Sequence, residues 1–191
     1  MSEKKYEFTD ETIEEDGHIL HRIRALRDFD SVHAGDLGGY IENERNLSHD
    51  GVCWVSGDAW VYGEAQVSGD ALVYGWAQVY DRAQVSGDAW VYGWAQVYDR
   101  AQVSGNAMVS GEAQVYGDAQ VFGEAQVYGD ALVFDGAEVY GCARVFDQAR
   151  VFDQARVFDQ ARVFYQARVF YRDEVVGVRA ERMPPEELED K

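Results

Sequence analysis

Hydrophobic positions along this chain recur with a period of six residues. Valine occupies every sixth position from Val55 to Val175, which gives 21 sites without a slip. Alanine stands two residues before almost every one of these valines, from Ala59 to Ala167. The two residues before each alanine are commonly Gly, Asp or Asn. A period of six fits neither a helix of 3.6 residues per turn nor an isolated strand of period two. It predicts short strands separated by corners, each strand stacked on the turn of chain below it.

A second period, of 18 residues, is also visible. Residues 72–89 and 90–107 agree at 16 of 18 positions. Three six-residue sides make a triangular coil, so the sequence predicts about seven coils and, at about 4.8 Å per stacked strand, a prism roughly 33 Å long. Valine and alanine should point inward, Gly and Asp should take the bends, and the residues flanking each valine should point outward. Asp173 replaces the last expected alanine, where the pattern ends.

The hexads resemble those of the hexapeptide-repeat, left-handed parallel β-helix family, in which an aliphatic residue is followed four positions later by a small one. Val55-Ser-Gly-Asp-Ala59 and some 18 following hexads match this motif. The left hand is implied by the resemblance alone, because ordinary parallel crossovers are right-handed. The segment 32–42, with Asn46-Leu-Ser and Gly51-Val-Cys-Trp54, is similar to the lead-in segment of bacterial and prophage hexapeptide-repeat proteins labelled acyltransferases without demonstrated activity.

The chain divides into three parts. Residues 1–52 are expected to cap the open end of the solenoid, with a β-hairpin over residues 5–29 that turns near Glu15-Asp-Gly17. Residues 53–178 form the β-helix. Residues 179–191, which include Pro184 and Pro185, form a tail that is either a short helix or disordered.

Catalytic chemistry is not predicted, because the residue type that carries it is missing from the coils. The resemblance implies histidine, as a general base in the acyltransferases and as a zinc ligand in the γ-class carbonic anhydrases. All four histidines, His18, His21, His33 and His49, precede the first coil, and no insertion interrupts the hexads. We therefore expect no catalytic residue, no metal site and no cofactor. The alternative is an acyltransferase whose site lies between subunits.

The cysteines and the sequence ends favour a cytoplasmic protein. Cys53 stands in an alanine position and should be buried, whereas Cys142 stands at a corner and should be exposed. They lie five coils apart, about 24 Å, which is too far for a disulfide. The first residues lack the apolar stretch of a signal peptide, and no apolar run is long enough to cross a membrane.

Charge is unevenly distributed. The net charge is −18, and residues 54–143 carry 12 acidic and 2 basic side chains, whereas residues 144–179 carry 5 and 7. A chain this acidic should not bind nucleic acid through its phosphates. The acidity favours solubility, and an acidic mimic of nucleic acid is the alternative. In the basic end, Arg144, Arg150, Arg162 and Arg168 could pair locally with Asp147, Asp153 and Asp159, or pair with the acidic middle of an antiparallel second copy.

Outward positions 18 residues apart form columns, and several of these columns are aromatic. One column is aromatic throughout, and tryptophan and leucine recur in its neighbours. The predicted interaction surface comprises Trp54, Trp60, Tyr62, Leu72, Trp76, Tyr80, Trp90, Trp94, Tyr98, Tyr116, Phe134, Phe152 and Phe170. Stacked rings stabilise neighbouring strands, which is one explanation. Contiguous exposed apolar area usually marks an interface, which is the explanation we favour.

The function predicted from these columns is therefore a rigid, non-enzymatic scaffold. We expect a homodimer that buries part of the Tyr/Phe column or the Trp54–Leu72–Trp90 stripe. An unidentified protein partner is the second expectation, and the prophage resemblance implies an inhibitor of a host system.

Overall fold

The computed structural model describes residues 3–176 and 179–182, and within them the protein is an all-β parallel solenoid. Three strands precede the coils: β1 (Tyr6–Glu15), β2 (His18–Ala25) and β3 (Leu37–Ile41). A 3-10 turn, Glu44–Asn46, follows them, and its N-cap is Asn43. The predicted hairpin is confirmed, because β1 and β2 pair antiparallel with Glu15 opposite His18.

In the part of the chain that the structure describes, twenty-two short strands follow and stack into three sheets, here called faces 1, 2 and 3. Face 1 contains β4 (Trp54–Val55), β7 (Leu72–Val73), β10 (Trp90–Val91), β13 (Met108–Val109), β16 (Gln126–Val127), β19 (Arg144–Val145), β22 (Arg162–Tyr165) and β25 (Arg179–Arg182). Face 2 contains β5 (Trp60–Val61), β8 (Gln78–Val79), β11 (Gln96–Val97), β14 (Gln114–Val115), β17 (Leu132–Val133), β20 (Arg150–Val151) and β23 (Arg168–Val169). Face 3 contains β6 (Gln66–Val67), β9 (Gln84–Val85), β12 (Gln102–Val103), β15 (Gln120–Val121), β18 (Glu138–Val139), β21 (Arg156–Phe158) and β24 (Glu174–Val176).

Residues 18 apart are neighbours in adjacent parallel strands, as the sequence predicts. Val97 pairs with Val79 on one side and with Val115 on the other. Backbone hydrogen bonds join the coils, for example from Trp90 N–H to the Ala107 carbonyl at 2.9 Å. We number the coils by the first residue of face 1, so that coil 1 begins at Trp54 and coil 7 at Arg162.

The inward residues form one continuous core. Every patterned valine from Val55 to Val169 and every patterned alanine from Ala59 to Ala167 is buried. The prediction that all the valines are buried is wrong at one position: Val175 is only partly buried. It lies in β24, the last strand of face 3, where Asp173 has already replaced the inward alanine. Among the residues whose burial the structure describes, the buried valines therefore end at Val169, in coil 7.

Left-handed backbone makes each corner. The bend residue has positive φ at Gly in most coils and at Asp81, Asp99, Asp135, Asp147, Asp153 and Asp159 in the others. At Gly105, where φ is 67°, an added Cβ would lie 2.9 Å from the backbone nitrogen of Gly123 in the next coil. The Asp side chains help the bend, since the Asp99 carboxylate accepts from the Gly117 N–H at 3.0 Å. Gly and Asp take the bends as predicted, but Tyr165 and Tyr171 also do.

The N-terminal segment covers the first coil. Strand β3 pairs antiparallel with β2 and parallel with β5, so it converts the hairpin into the first rung of face 2. Leu47 forms a parallel bridge to Val67 on face 3. Tyr6, Ile23 and Phe29 join the solenoid core from the cap. The tail was predicted over residues 179–191, but Arg179–Arg182 form β25, which pairs parallel with β22 on face 1. The rest of the predicted tail, from residue 183, lies outside the described residues.

Candidate interaction surfaces

The aromatic column of face 2 is a stacked ladder. Its seven rings run from Tyr62 to Phe170, with centroids 4.9–5.5 Å apart and planes within 12° of parallel. Because each of the five inner rings, from Tyr80 to Phe152, has ladder neighbours above and below, mostly their edges reach solvent and they are half-buried. Burial raises the pKa of Tyr80 to about 12. The ladder therefore contributes to coil-to-coil stacking and presents a narrower apolar surface than its sequence suggests.

Tyr62 is not part of the accessible surface, which corrects the prediction. It is only 7% exposed, because Leu20 and Tyr40 of the cap pack against it. The ring of His18 also lies 5.2 Å from the Tyr62 ring. This burial raises the pKa of the Tyr62 hydroxyl to about 12. The exposed part of the ladder begins at Tyr80.

Trp54 is likewise covered by the cap, so the predicted Trp54–Leu72–Trp90 stripe loses its first member. Its side chain is 4% exposed, with Phe29 edge-on at 5.3 Å and Tyr6 at 6.3 Å. The sequence reveals the outward position of Trp54 in its hexad, but not that a segment 25 residues earlier folds over it. On face 1 the uncovered column begins at Leu72, which is half-buried.

Three tryptophans on coils 2 and 3 are exposed. Trp76 and Trp94 stack at 4.8 Å on the corner between faces 1 and 2, and they are 51% and 58% exposed. Trp90 on face 1 is 42% exposed, and Tyr74 meets it edge-on at 6.5 Å. Trp60, the remaining tryptophan of the predicted surface, is half-buried beside the cap.

The far end of the solenoid carries exposed rings that sequence reasoning missed. Tyr165 and Tyr171 are exposed at bend positions, and Tyr171 is the more exposed of the two, at 75%. Phe170, which was predicted, is also exposed there. The available signal was the position: an aromatic residue at a bend, where the other coils use Gly or Asp, cannot point inward.

The arginines of the last coils do not make the local pairs considered from the sequence. Among the described residues, no ion pair joins Arg144, Arg150, Arg162 or Arg168 to Asp147, Asp153 or Asp159. These aspartates lie at bends, where Asp147 and Asp153 accept backbone N–H groups from the next coil.

Two of these arginines instead lie over aromatic rings. Arg162 lies 5.4 Å from the Phe146 ring centroid, and Arg168 lies 5.4 Å from that of Phe152. Arg144 pairs with Arg162 in neighbouring strands, and Arg150 pairs with Arg168 in the same way. At the far end of the solenoid, arginine therefore lies next to arginine in adjacent strands on both face 1 and face 2.

The histidines all lie in the cap, and each has a structural contact. His18 Nδ1 lies 2.9 Å from Glu42 Oε1, and His21 stacks on Phe8. His49 accepts the Lys5 N–H at Nδ1 and stacks on the Tyr6 ring at 4.4 Å. Burial lowers the pKa of His49. Within the described ranges, no three His, Cys, Asp or Glu side chains are grouped so that they could hold a metal ion.

The two cysteines lie where the hexad pattern places them. Cys53 is buried, and Lys5 donates from Nζ to its carbonyl oxygen at 2.8 Å and to its Sγ at 3.2 Å. Burial raises the pKa of the Cys53 thiol and lowers that of Lys5. Cys142 is exposed on the corner before face 1, where its thiol lies 3.3 Å from Glu124 Oε2. That hydrogen bond raises the pKa of the Cys142 thiol.

Comparison with known proteins adds a family match. Residues 77–93, 101–117 and 125–141 match the YdcK beta solenoid repeat family. No curated protein matches the chain. Across residues 3–176 and 179–182, no helix is long and apolar enough to cross a membrane. The three matched segments and the observed coils identify the chain as a β-solenoid repeat protein.

Proposed function

We propose that this protein is a non-enzymatic scaffold that acts through its exposed aromatic faces, by self-association first and by docking on a protein partner second. The observation that carries the proposal is the exposure of Trp76, Trp90 and Trp94 on two consecutive coils. Tryptophan is the residue type most enriched at binding hot spots. A solenoid of paired strands holds such side chains in fixed positions, which lowers the entropy cost of binding.

Ring stacking between coils accounts for the aromatic ladder of face 2, but it accounts less well for the exposed tryptophans. A ring inside the ladder is covered on both faces by its neighbours, whereas the Trp76–Trp94 pair is a stack of two, so each ring has one face without an aromatic neighbour. In coil 4 the same column continues with Glu112, which ends the aromatic stack. Exposed apolar area without a stacking partner is the kind of surface that marks an interface.

The assignment as a non-enzyme rests on where the titratable groups lie. The general base implied by the acyltransferase resemblance would have to come from the cap, where His18 is held by Glu42 and His49 by Lys5 and Tyr6. Acetyl-CoA turnover by the purified protein, lost on replacing one of the four histidines, would contradict this assignment. For the docking role we infer a cytoplasmic protein partner, such as the bacterial host factor that the prophage resemblance implies.

Sedimentation velocity over a concentration series tests the scaffold. We expect the wild type to form a reversible dimer. The variant Trp76→Gln/Trp90→Gln/Trp94→Gln should dimerise more weakly, so that it needs a higher protein concentration to associate, while its circular dichroism is unchanged. Tyr171→Gln is the control, because it removes an even more exposed ring at the other end of the solenoid. A wild type that stays monomeric at high concentration would refute self-association. Equal weakening by the control would refute the role of the tryptophans.

A further inference from the structure

One edge of face 1 lies next to the corner between faces 3 and 1. Along this edge, the residue types change from one end of the solenoid to the other. Its outward column reads Leu72, Trp90 and Met108 in coils 2 to 4, then Gln126, then Arg144 and Arg162 in coils 6 and 7. The corner two residues before each of these positions carries Asp70, Asp88, Asn106, Glu124, Cys142 and Gln160. One half of the edge is therefore apolar and acidic, and the other half is basic.

Within the described residues, Arg144 and Arg162 of the basic half have no acidic partner. Arg144 and Arg162 are paired in adjacent parallel strands, and like charges directly opposite each other destabilise a sheet. Their exposed side chains make no ion pair within the described part of the chain, although the net charge is −18. On face 3, by contrast, Arg156 lies between Glu138 and Glu174, at 3.2 and 3.9 Å. Such a local conflict in an otherwise regular repeat is expected at a functional surface.

We propose that a second copy of this chain docks antiparallel on face 1, with Arg162 and Arg144 of each copy against Asp70 and Asp88 of the other. The proposal rests on the self-association proposed above and specifies its face and register. Both copies have the same strand spacing of about 4.8 Å, so two stacked arginines match two stacked aspartates without distortion. The two-fold axis passes between coils 4 and 5, which is the isologous arrangement usual for dimers.

This register is complementary along the whole edge. Coil 7 lies opposite coil 2, coil 6 opposite coil 3 and coil 5 opposite coil 4. Arg144 then also meets the exposed ring of Trp90, the geometry of a cation–π contact, and Glu124 meets Asn106. A shift of one coil would place Glu124 opposite Asp88 or opposite its own copy, either of which juxtaposes carboxylates. Charge therefore selects this register over its neighbours.

The other edge of the face adds tryptophan contacts but no ion pair. There Trp76 and Trp94 lie opposite Gln166 and Gln148, and Glu112 lies opposite Asp130, which is the one like-charge pair. Both of these carboxylates are at an exposed corner, where water and salt screen the repulsion. The tryptophan pair remains at the rim of the dimer, where a different protein can reach it.

The extent of the interface follows from the cap. Because Tyr6 and Phe29 cover Trp54, the open part of face 1 begins at coil 2, and coil 2 mates with coil 7. Six rungs at about 4.8 Å and a side of about five residues at about 3.3 Å give a patch of roughly 29 by 16 Å on each copy. The total buried area is on the order of 1,000 Å², at the small end of specific interfaces. A reversible dimer that weakens with salt is expected.

Two complementary charge reversals test this pairing by sedimentation velocity at low salt. We expect Arg144→Glu/Arg162→Glu to dimerise at least about tenfold more weakly, and Asp70→Lys/Asp88→Lys likewise, because each opposes like charges across the interface. An equimolar mixture of the two variants restores opposite charges at both contacts, so it should form a heterodimer at least as tight as the wild type. The matched control is Arg150→Glu/Arg168→Glu, which makes the same charge change in the same coils but on face 2, and which should dimerise normally.

The outcomes separate this proposal from the broader one. A mixture that stays monomeric, or a control variant as weak as the face 1 variants, overturns the antiparallel pairing. If Arg144→Glu/Arg162→Glu still dimerises like the wild type while the triple tryptophan variant does not, self-association stands and this face and register are wrong. A monomeric wild type overturns both.

Discussion

The inward valines predict a stability loss that can be worked out for one central residue. Val97 lies in coil 3, has no solvent exposure and pairs with a valine on each side. Val97→Ala removes two methyl groups, worth about 0.8 kcal/mol each in transfer free energy. The surrounding strands are hydrogen-bonded to both neighbouring coils and cannot collapse around the gap, so a cavity term adds to this loss. We expect the free energy of unfolding to fall by about 2–3 kcal/mol.

Urea unfolding followed by far-ultraviolet circular dichroism measures this change. Gln102→Ala is the matched control, because Gln102 lies in the same coil, points outward and is exposed; it should change stability by less than about 0.5 kcal/mol. Val169→Ala, near the end of the core, should cost less than Val97→Ala, because a terminal coil is supported from one side only. Equal effects of Val97→Ala and Gln102→Ala would refute the reasoning, since inward and outward positions of the coil would then contribute alike to stability.

Three further changes test other parts of the structure. Gly105→Ala should cost about 1–3 kcal/mol, because its Cβ would strain a left-handed bend and crowd Gly123, and thermal unfolding measures this loss. Burial lowers the pKa of His49, so below about pH 6.5 the unfolded chain binds more protons than the folded protein. The free energy of unfolding should therefore fall as the pH drops below that value. His49→Gln should reduce this pH dependence, and urea titrations at several pH values measure it. Tyr80→Ser/Tyr98→Ser should lower stability by about 1–2 kcal/mol through lost ring stacking, yet leave the sedimentation of the dimer unchanged.

Most of the solenoid was predictable because the pattern is local and repeated. Each hexad places its valine by alternation alone, and each bend is marked by Gly or Asp, so the register of 18 follows from the sequence. The end of the core was less predictable. Val175 keeps the period, but its exposure depends on what lies above the last coil, which is a property of stacking and not of the hexad.

The interaction surface was only partly predictable, for a related reason. The hexad shows that Trp54 and Tyr62 point outward, but the cap, which has no repeat, folds over both. Stacking also changes what an outward ring presents, so the ladder of face 2 is less exposed than Trp76 and Trp94. That Arg144 has no acidic partner among the described residues could be learned only from the fold, because proximity in sequence suggested a pair with Asp147.

The proposed dimer places the exposed thiol of Cys142 opposite the partner's Asp88. Asp88→Cys therefore creates a pair that a short bis-maleimide can join across two packed sheets, which lie about 10 Å apart. Within one chain, positions 88 and 142 are three coils apart, about 14 Å, which is beyond that reach. Because Glu124 raises the pKa of the Cys142 thiol, labelling is best done at mildly alkaline pH.

Cross-linking of Asp88→Cys, read by mass under denaturing conditions, tests the central claim most directly. The antiparallel dimer on face 1 predicts a covalent dimer in high yield, and it predicts none when Cys142→Ser is added, since the remaining exposed cysteines of the two copies then lie three coils apart. A product that stays monomeric at concentrations where the Asp88→Cys variant itself sediments as a dimer would contradict the claim.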